Sequence, residues 1–196
     1  ATALSLLSDA NLQRQLRRLD KDTAQGLVQS EDPLWQRPLE NVRKVGQGSS
    51  GIVWKARVPG TLEDIAVKTI PLTSRRQHSF AVSELAHLDQ YSGGDVVSLF
   101  DAAIANMYED GVFLSSEQPV LLLYMEAAAG SLYEVVLGSS GFEHIALSTR
   151  LRLLVEILRG MRKLERGGCV HRDIKPENVL VFGDPSDPET LHAKLG

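Results

Sequence analysis

The run His171-Arg172-Asp173-Ile174-Lys175-Pro176-Glu177-Asn178 puts a carboxylate, an ammonium and an amide into one short stretch. Those groups divide the labour of a group-transfer reaction. A carboxylate can take the proton of a hydroxyl, an amide oxygen can hold a hard cation, and a lysine can balance the charge of a phosphate. The stretch follows a helix-like run and precedes the apolar Val179-Leu180-Val181-Phe182, so it reads as a loop held between two elements. A solvated surface turn is the plainer reading. The residues upstream decide against it.

The first of these is Gly46-Gln47-Gly48-Ser49-Ser50-Gly51, entered from Val42-Arg43-Lys44-Val45 and left through Ile52-Val53-Trp54-Lys55-Ala56. Glycines at this spacing let a backbone approach a polyphosphate and turn its N–H groups toward it. The same spacing occurs in dinucleotide-binding folds, but there a helix opens at the third glycine. Here β-branched Ile52 and Val53 follow, which predicts a strand–turn–strand hairpin and sets the dinucleotide reading aside. Lys68 interrupts the apolar strand 65–70, and without context it would simply face water. Glu84 lies on the apolar face that Ala81, Leu85 and Leu88 mark at helical spacing. A glutamate on an inward face needs a partner, and Lys68 is the candidate. A rim position facing water is the alternative.

The elements that must position these groups follow from periodicity and punctuation. Residues 1–38 read as a helical extension and linker. In it Ser8 or Asp9 supplies a cap, Leu12, Leu16 and Leu19 an apolar stripe, Arg14, Arg17, Arg18 and Lys21 a basic face, and Trp35 a packing residue between prolines. The helix carrying Glu84 starts at Ser74 or His78. A strand is expected over 96–100, a polar hairpin loop over 106–118, and a fifth strand over 120–126. Residues 127–130 follow as a small-residue connection, and Ser131 caps a short helix ending at Leu137. Ser148 opens a long helix whose Leu151, Leu154, Val155, Leu158, Met161 and Leu164 are read as core, stopped at Gly167-Gly168. Residues 179–182 and 192–195 pair as a hairpin.

Composition limits the function. Hydrophobic content of 43% in 196 residues suits one globular domain, and a net charge of -4 gives no electrostatic case for nucleic acid or an anionic membrane. The single cysteine, Cys169, excludes an internal disulfide framework and predicts a reducing, cytoplasmic-type compartment with a structural thiol. No apolar run is long enough to span a bilayer. The start lacks both an initiator Met and the basic segment of a signal peptide, so the chain is expected to begin inside a longer protein.

Glycine hairpin, lysine strand, glutamate helix, fifth strand, long helix and H-R-D-x-x-x-x-N occur in the order and on the element types of eukaryotic-type protein kinases. Residues 40–196 resemble that family, and Lys175-Pro176-Glu177 resembles its serine/threonine branch. The resemblance implies an α+β bilobal fold. Its N-lobe, residues 39–126, would be five antiparallel strands and one helix. A mainly helical C-lobe would begin with the hinge, over residues 127–196, with ATP between the lobes. It implies transfer of the ATP γ-phosphoryl group to a protein hydroxyl, with Asp173 as proton acceptor, Lys175 as charge balance and Asn178 as a Mg2+ ligand. Lys68, paired with Glu84, would hold the α- and β-phosphates beneath Gly46, Gln47, Gly48, Ser49, Ser50 and Gly51. Val53, Ala66 and Leu180 would enclose the adenine, with Met125 behind it and the backbone of Glu126 and Ala128 along its edge. Leu88, Leu99 and His171 would join an internal hydrophobic column, and Arg172 would answer to regulation more than to chemistry.

The resemblance departs at the end. Ala193-Lys194-Leu195-Gly196 is similar to the strand before the Asp-Phe-Gly motif, and that motif is not among the 196 residues. Three readings follow: a piece of an active kinase, which is favoured; a truncated pseudokinase that binds nucleotide or a protein without catalysis; or a chain completed by another. The 196-residue polypeptide alone is expected to have no useful kinase activity, and part of its long helix to lie uncovered.

Overall fold

The computed structural model describes residues 39–48, 51–106, 119–138 and 145–196. The expected N-terminal helix and linker with Trp35, Ser49 and Ser50, residues 107–118 of the expected polar loop, and the break at 139–141 lie outside these. Two compact units result. The described residues up to His87 and those of Leu99–Met125 form the first, and Leu88–Ser98 with Glu126–Gly196 the second.

The first unit is a five-stranded sheet with a helix. β1 (Glu40–Gly48), β2 (Gly51–Arg57), β3 (Asp64–Pro71), β4 (Leu99–Asn106) and β5 (Pro119–Glu126) stand in the order β1-β2-β3-β5-β4. β1 with β2, β2 with β3, and β4 with β5 are antiparallel. α1 (Arg75–Tyr91) follows β3 and carries its last turn into the second unit. Alternation along β2 and β3 sorts their side chains. Ala56, Ile65 and Val67 are buried in a core with Leu39, Val58, Val120, Leu122 and Tyr124, the Leu, Ile and Val side chains each worth roughly 1.5–3 kcal/mol if fully transferred from water. The opposite register pairs Val53 with Lys68 and Lys55 with Ala66, on a half-buried face. Ser74, one of the two expected starts of α1, is its cap: its hydroxyl accepts from the Gln77 N–H at 3.3 Å. The strand expected over 96–100 begins later, at Leu99. Val96 and Val97 are bound elsewhere, Val97 N–H donating to the Leu195 carbonyl at 2.8 Å.

The second unit is built on α2 (Leu147–Arg166) and a small sheet of β6 (Gly130–Ser131), β7 (Val179–Phe182) and β8 (His192–Leu195). The β7–β8 hairpin forms as expected, with Val179 opposite Leu195 and Phe182 opposite His192. Ser131 and Glu134 close a reciprocal capping box, the Glu134 N–H donating to the Ser131 hydroxyl and the Ser131 N–H to Glu134 Oε2. The turn they open, Tyr133–Leu137, is wound as a π-helix.

Two expectations about α2 are corrected. It starts at Leu147, one residue before Ser148, with Ala146 at the cap position and no side-chain cap bond. More consequentially, of the apolar stripe read as core only Leu164 is buried, and the uncovered part that was expected is most of it: Leu151 and Leu158 are each 53% exposed, and Leu154, Val155 and Met161 are exposed too, whereas Leu153 is 2% exposed. The buried arc is Thr149, Leu153, Gly160 and Leu164, roughly 150° around the helix from the exposed one at about 100° per residue. Gly160 decides which arc packs. A Cβ there would meet the Asp95 carbonyl oxygen at 2.6 Å and Leu195 Cγ at 3.0 Å, so only a glycine admits this approach to β8. Gly160, between Leu153 and Leu164 on the buried arc, sets the contact, and counting large apolar residues alone does not find it.

Candidate active site

Each unit carries one constellation. In the first, Lys68 on β3 and Glu84 on α1 meet, Nζ to Oε1, at 2.6 Å with side chains 17% and 24% exposed. The apolar stripe of α1 is buried at Ala81, Leu85 and Leu88, which turns Glu84 inward to a cation instead of to water. An ammonium has three protons, so one bond to Glu84 leaves donors on Lys68 for an anion. Val53 stands directly across the ladder from Lys68, and Ala66 lies two residues before it on the same face. Met125, buried at the end of β5, pairs with Leu99.

The glycine hairpin has the expected register, with Gly46 opposite Val53, Gln47 opposite Ile52 and Gly48 opposite Gly51. Its glycines are not equivalent. Gly51 has φ +148°, and a Cβ there would lie 2.2 Å from the Thr69 carbonyl oxygen, so β3 itself requires it. Gly46 would make only an ordinary contact, and a Cβ on Gly48 would meet nothing within 4 Å among the described residues. The absence of a side chain at 48 answers no need of the described chain. Gln47 is exposed, its side chain bonded to Lys44.

In the second unit the loop between α2 and β7 gathers three groups. Asp173 Oδ2 accepts from Lys175 Nζ at 2.9 Å and from Asn178 Nδ2 at 2.7 Å. The Lys175 hydrogen bond first, and the Asn178 amide second, hold the Asp173 carboxyl below its ordinary value, while Asp173 in turn raises Lys175. The carboxylate is therefore ionised at neutral pH, the form that can accept a proton. Asn178 also donates to the Asp173 carbonyl at 2.9 Å. With its nitrogen committed twice, the oxygen is the atom left for a cation.

His171 and Arg172 shape this loop from behind. The Asp173 N–H points at His171 Nδ1 at 3.4 Å, so Nε2 carries the ring proton and donates to the Gly196 carbonyl at 3.1 Å. Arg172 has φ +65°, a left-handed conformation costing on the order of 1 kcal/mol in a non-glycine residue. The turn is tightened again by the short 3-10 segment Pro176–Asn178. Leu180 then lies half-buried on β7, opposite Lys194 of β8 and beside Ser131 of β6.

The residues after β5 are tied at both ends. The Glu126 N–H donates to the Ser98 carbonyl at 3.1 Å and the Ala129 N–H to the Val181 carbonyl at 2.8 Å. Between them half-buried Ala127 and Ala128 make no backbone hydrogen bond to the described residues. The Glu126 carboxylate is spent inside the unit, accepting from the Ser98 N–H at 2.6 Å and from Lys194 Nζ at 2.7 and 2.6 Å. The Glu126 side chain and N–H are thus both committed within the unit. Ser98 and Lys194 were not foreseen from sequence. Lys194 stands out there only as a polar position in the alternation of residues 192–195, and nothing local names a partner 68 residues away.

The protein kinase domain family matches residues 39–191. The chain belongs to that family. It is 30% identical over 141 residues to the serine/threonine-protein kinase shk1/pak1 of Schizosaccharomyces pombe, covering 72% of this chain and 19% of that protein. It is 31% identical over 145 residues to the serine/threonine-protein kinase STE20 of Eremothecium gossypii, covering 74% of this chain and 13% of that one. The mitogen-activated protein kinase p38b of Drosophila melanogaster is 28% identical over 154 residues, or 76% of this chain and 40% of its own. The chain thus spans less than half the length of these relatives. No helix among the described residues is long and apolar enough to cross a membrane.

Proposed function

We propose that these residues are the nucleotide-binding and catalytic-loop part of a serine/threonine protein kinase, which transfers the γ-phosphoryl group of ATP to a protein hydroxyl. The observation that carries the reading is the inward Lys68–Glu84 pair at 2.6 Å. Burying a pair of charges is costly, and here it leaves a lysine with donors to spare on a half-buried face. Lys68 binds the α- and β-phosphates, Glu84 holds Lys68 in place, and the backbone N–H groups of the Gly46–Gly51 hairpin, including Ser49 and Ser50, cover the phosphates. The unexplained space at Gly48 fits that role. Val53 and Ala66, on the face of Lys68, contact the adenine, and Met125 lies in the same unit. The backbone of Glu126, Ala127 and Ala128 bonds the edge of the base.

In the transfer, Asp173 orients the substrate hydroxyl and takes its proton as the new P–O bond forms and the bond to the ADP oxygen breaks. Lys175 offsets charge on the phosphoryl oxygens. Asn178 would hold Mg2+ through its one uncommitted oxygen, the ion supplying charge neutralisation and phosphate alignment. That donor suits a metal that keeps water and phosphate ligands. No group of three or more acidic, His or Cys side chains that could cage a metal occurs among the described residues.

The alternative is a nucleotide- or protein-binding module without catalysis. The two readings separate by assay. The kinase reading expects ATP binding by this chain, and the module reading expects it only in its nucleotide-binding form. Phosphate transfer to a generic protein substrate by a longer chain, abolished by Asp173→Ala, belongs only to the kinase. A longer chain that binds ATP tightly and transfers nothing would leave the module.

A further inference from the structure

Ser98, Glu126 and Lys194 form a closed clasp at the place where the chain passes from one unit to the other. The boundary between units falls at Ser98/Leu99 and again at Met125/Glu126. Ser98 and Glu126 are bonded twice, once through each residue's N–H, and Lys194 Nζ then binds both oxygens of the same carboxylate. The ammonium also lies 5.0 Å from the centre of the Phe182 ring, a cation–π contact. Lys194 is the direct cross-strand partner of Leu180. One side chain therefore ties the strand that carries Leu180 to the backbone that precedes Ala127 and Ala128.

We propose that Lys194 is a positioning residue for adenine recognition, acting through Glu126. This rests on the nucleotide-binding reading and names a part of it which the site residues themselves do not supply. Ala127 and Ala128 have methyl side chains that cannot fix their own backbone. Their unpaired N–H and C=O groups recognise a purine edge only if held in one orientation, and order already present in the free chain does not have to be created on binding. Ala129, bonded to Val181, fixes one end. The clasp fixes the other.

The test compares adenosine and ATP binding to the 196-residue chain for wild type, Lys194→Met, Lys194→Arg, Glu126→Gln and Lys68→Met, with amide exchange followed at Ser98, Ala127 and Ala128. Lys194→Met should weaken adenosine and ATP alike by about tenfold, as expected when a charge-assisted hydrogen bond that preorganises a site is lost, and should speed exchange at Ser98. Lys194→Arg should recover most of the affinity, and Glu126→Gln, which keeps an acceptor for Ser98, should fall between. Lys68→Met should weaken ATP but not adenosine. An unchanged adenosine affinity in folded Lys194→Met overturns the proposal, as does a loss in Lys194→Arg equal to that in Lys194→Met. If Lys194→Met does not fold, Glu126→Gln decides by the same criterion. Wild type that binds neither ligand overturns the underlying nucleotide reading and the proposal together, a result distinct from loss in the variants alone.

Discussion

Asp173 and Lys68 show how the same kind of ion pair serves two ends. The Asp173–Lys175 pair is exposed, and its contribution is the state of the carboxylate more than stability. A lowered carboxyl favours the arrangement above the ordinary carboxylate value and loses that contribution as pH falls through the lowered one. A raised lysine contributes below its ordinary value and is lost as pH rises through the raised one. The loop's charges should thus persist from below 3.8 to above 10.5. Titration of the Asp173 carboxyl by NMR should give a midpoint under 3.8, moving upward in Lys175→Met; a wild-type midpoint at or above 3.8 would contradict the hydrogen bonding described. Lys68, by contrast, is partly buried beside Glu84. A charged hydrogen bond to phosphate contributes about 1.5–3 kcal/mol, so Lys68→Met should cost ATP roughly ten- to hundredfold in affinity, read by calorimetry, with adenosine unaffected.

At the scale of elements, glycines decide more than large apolar residues do. Gly160→Ala sets two effects against each other. Alanine gains about 1 kcal/mol of helix propensity, but its Cβ would sit 2.6 Å from the Asp95 carbonyl oxygen, an overpacking that costs about 1–3 kcal/mol. The clash involves backbone and cannot be relieved by a rotamer. Net destabilisation on the order of 1–2 kcal/mol is expected in urea unfolding; a stabilised variant would mean α2 does not pack as described. The opposite face of α2 leaves Leu151, Leu154, Leu158 and their neighbours bare, a contiguous apolar strip of the kind that drives association. The 196-residue chain should therefore self-associate as its concentration rises. Leu151→Gln with Leu158→Gln should reduce this in sedimentation without lowering stability.

For the molecule as a whole, what the sequence made legible was whatever local spacing carries. The hairpin around Gly46–Gly51, Lys68 and Glu84 as partners, and the β7–β8 pairing all follow from alternation, helical spacing and turn residues. Asp173 and Asn178 share a loop because they are five residues apart. What escaped it depends on contacts between distant residues. The packed face of α2 is chosen by Gly160 against Asp95, the start of β4 by Val97 bonding Leu195, and the clasp by Lys194 finding Glu126. None of these leaves a trace in periodicity. Family membership rests on the order of motifs along residues 39–191, which is why it could be read before any of those contacts was known.

The most direct test of the central claim is the thermal stability of this chain with ATP, with and without magnesium, for wild type and Lys68→Met. A ligand that binds only the folded state adds about 2.7 kcal/mol at a hundred times its Kd. The account predicts a magnesium-dependent rise in Tm for wild type that Lys68→Met reduces by half or more. A wild-type chain that is folded and shows no rise, or a rise equal in Lys68→Met, would contradict it.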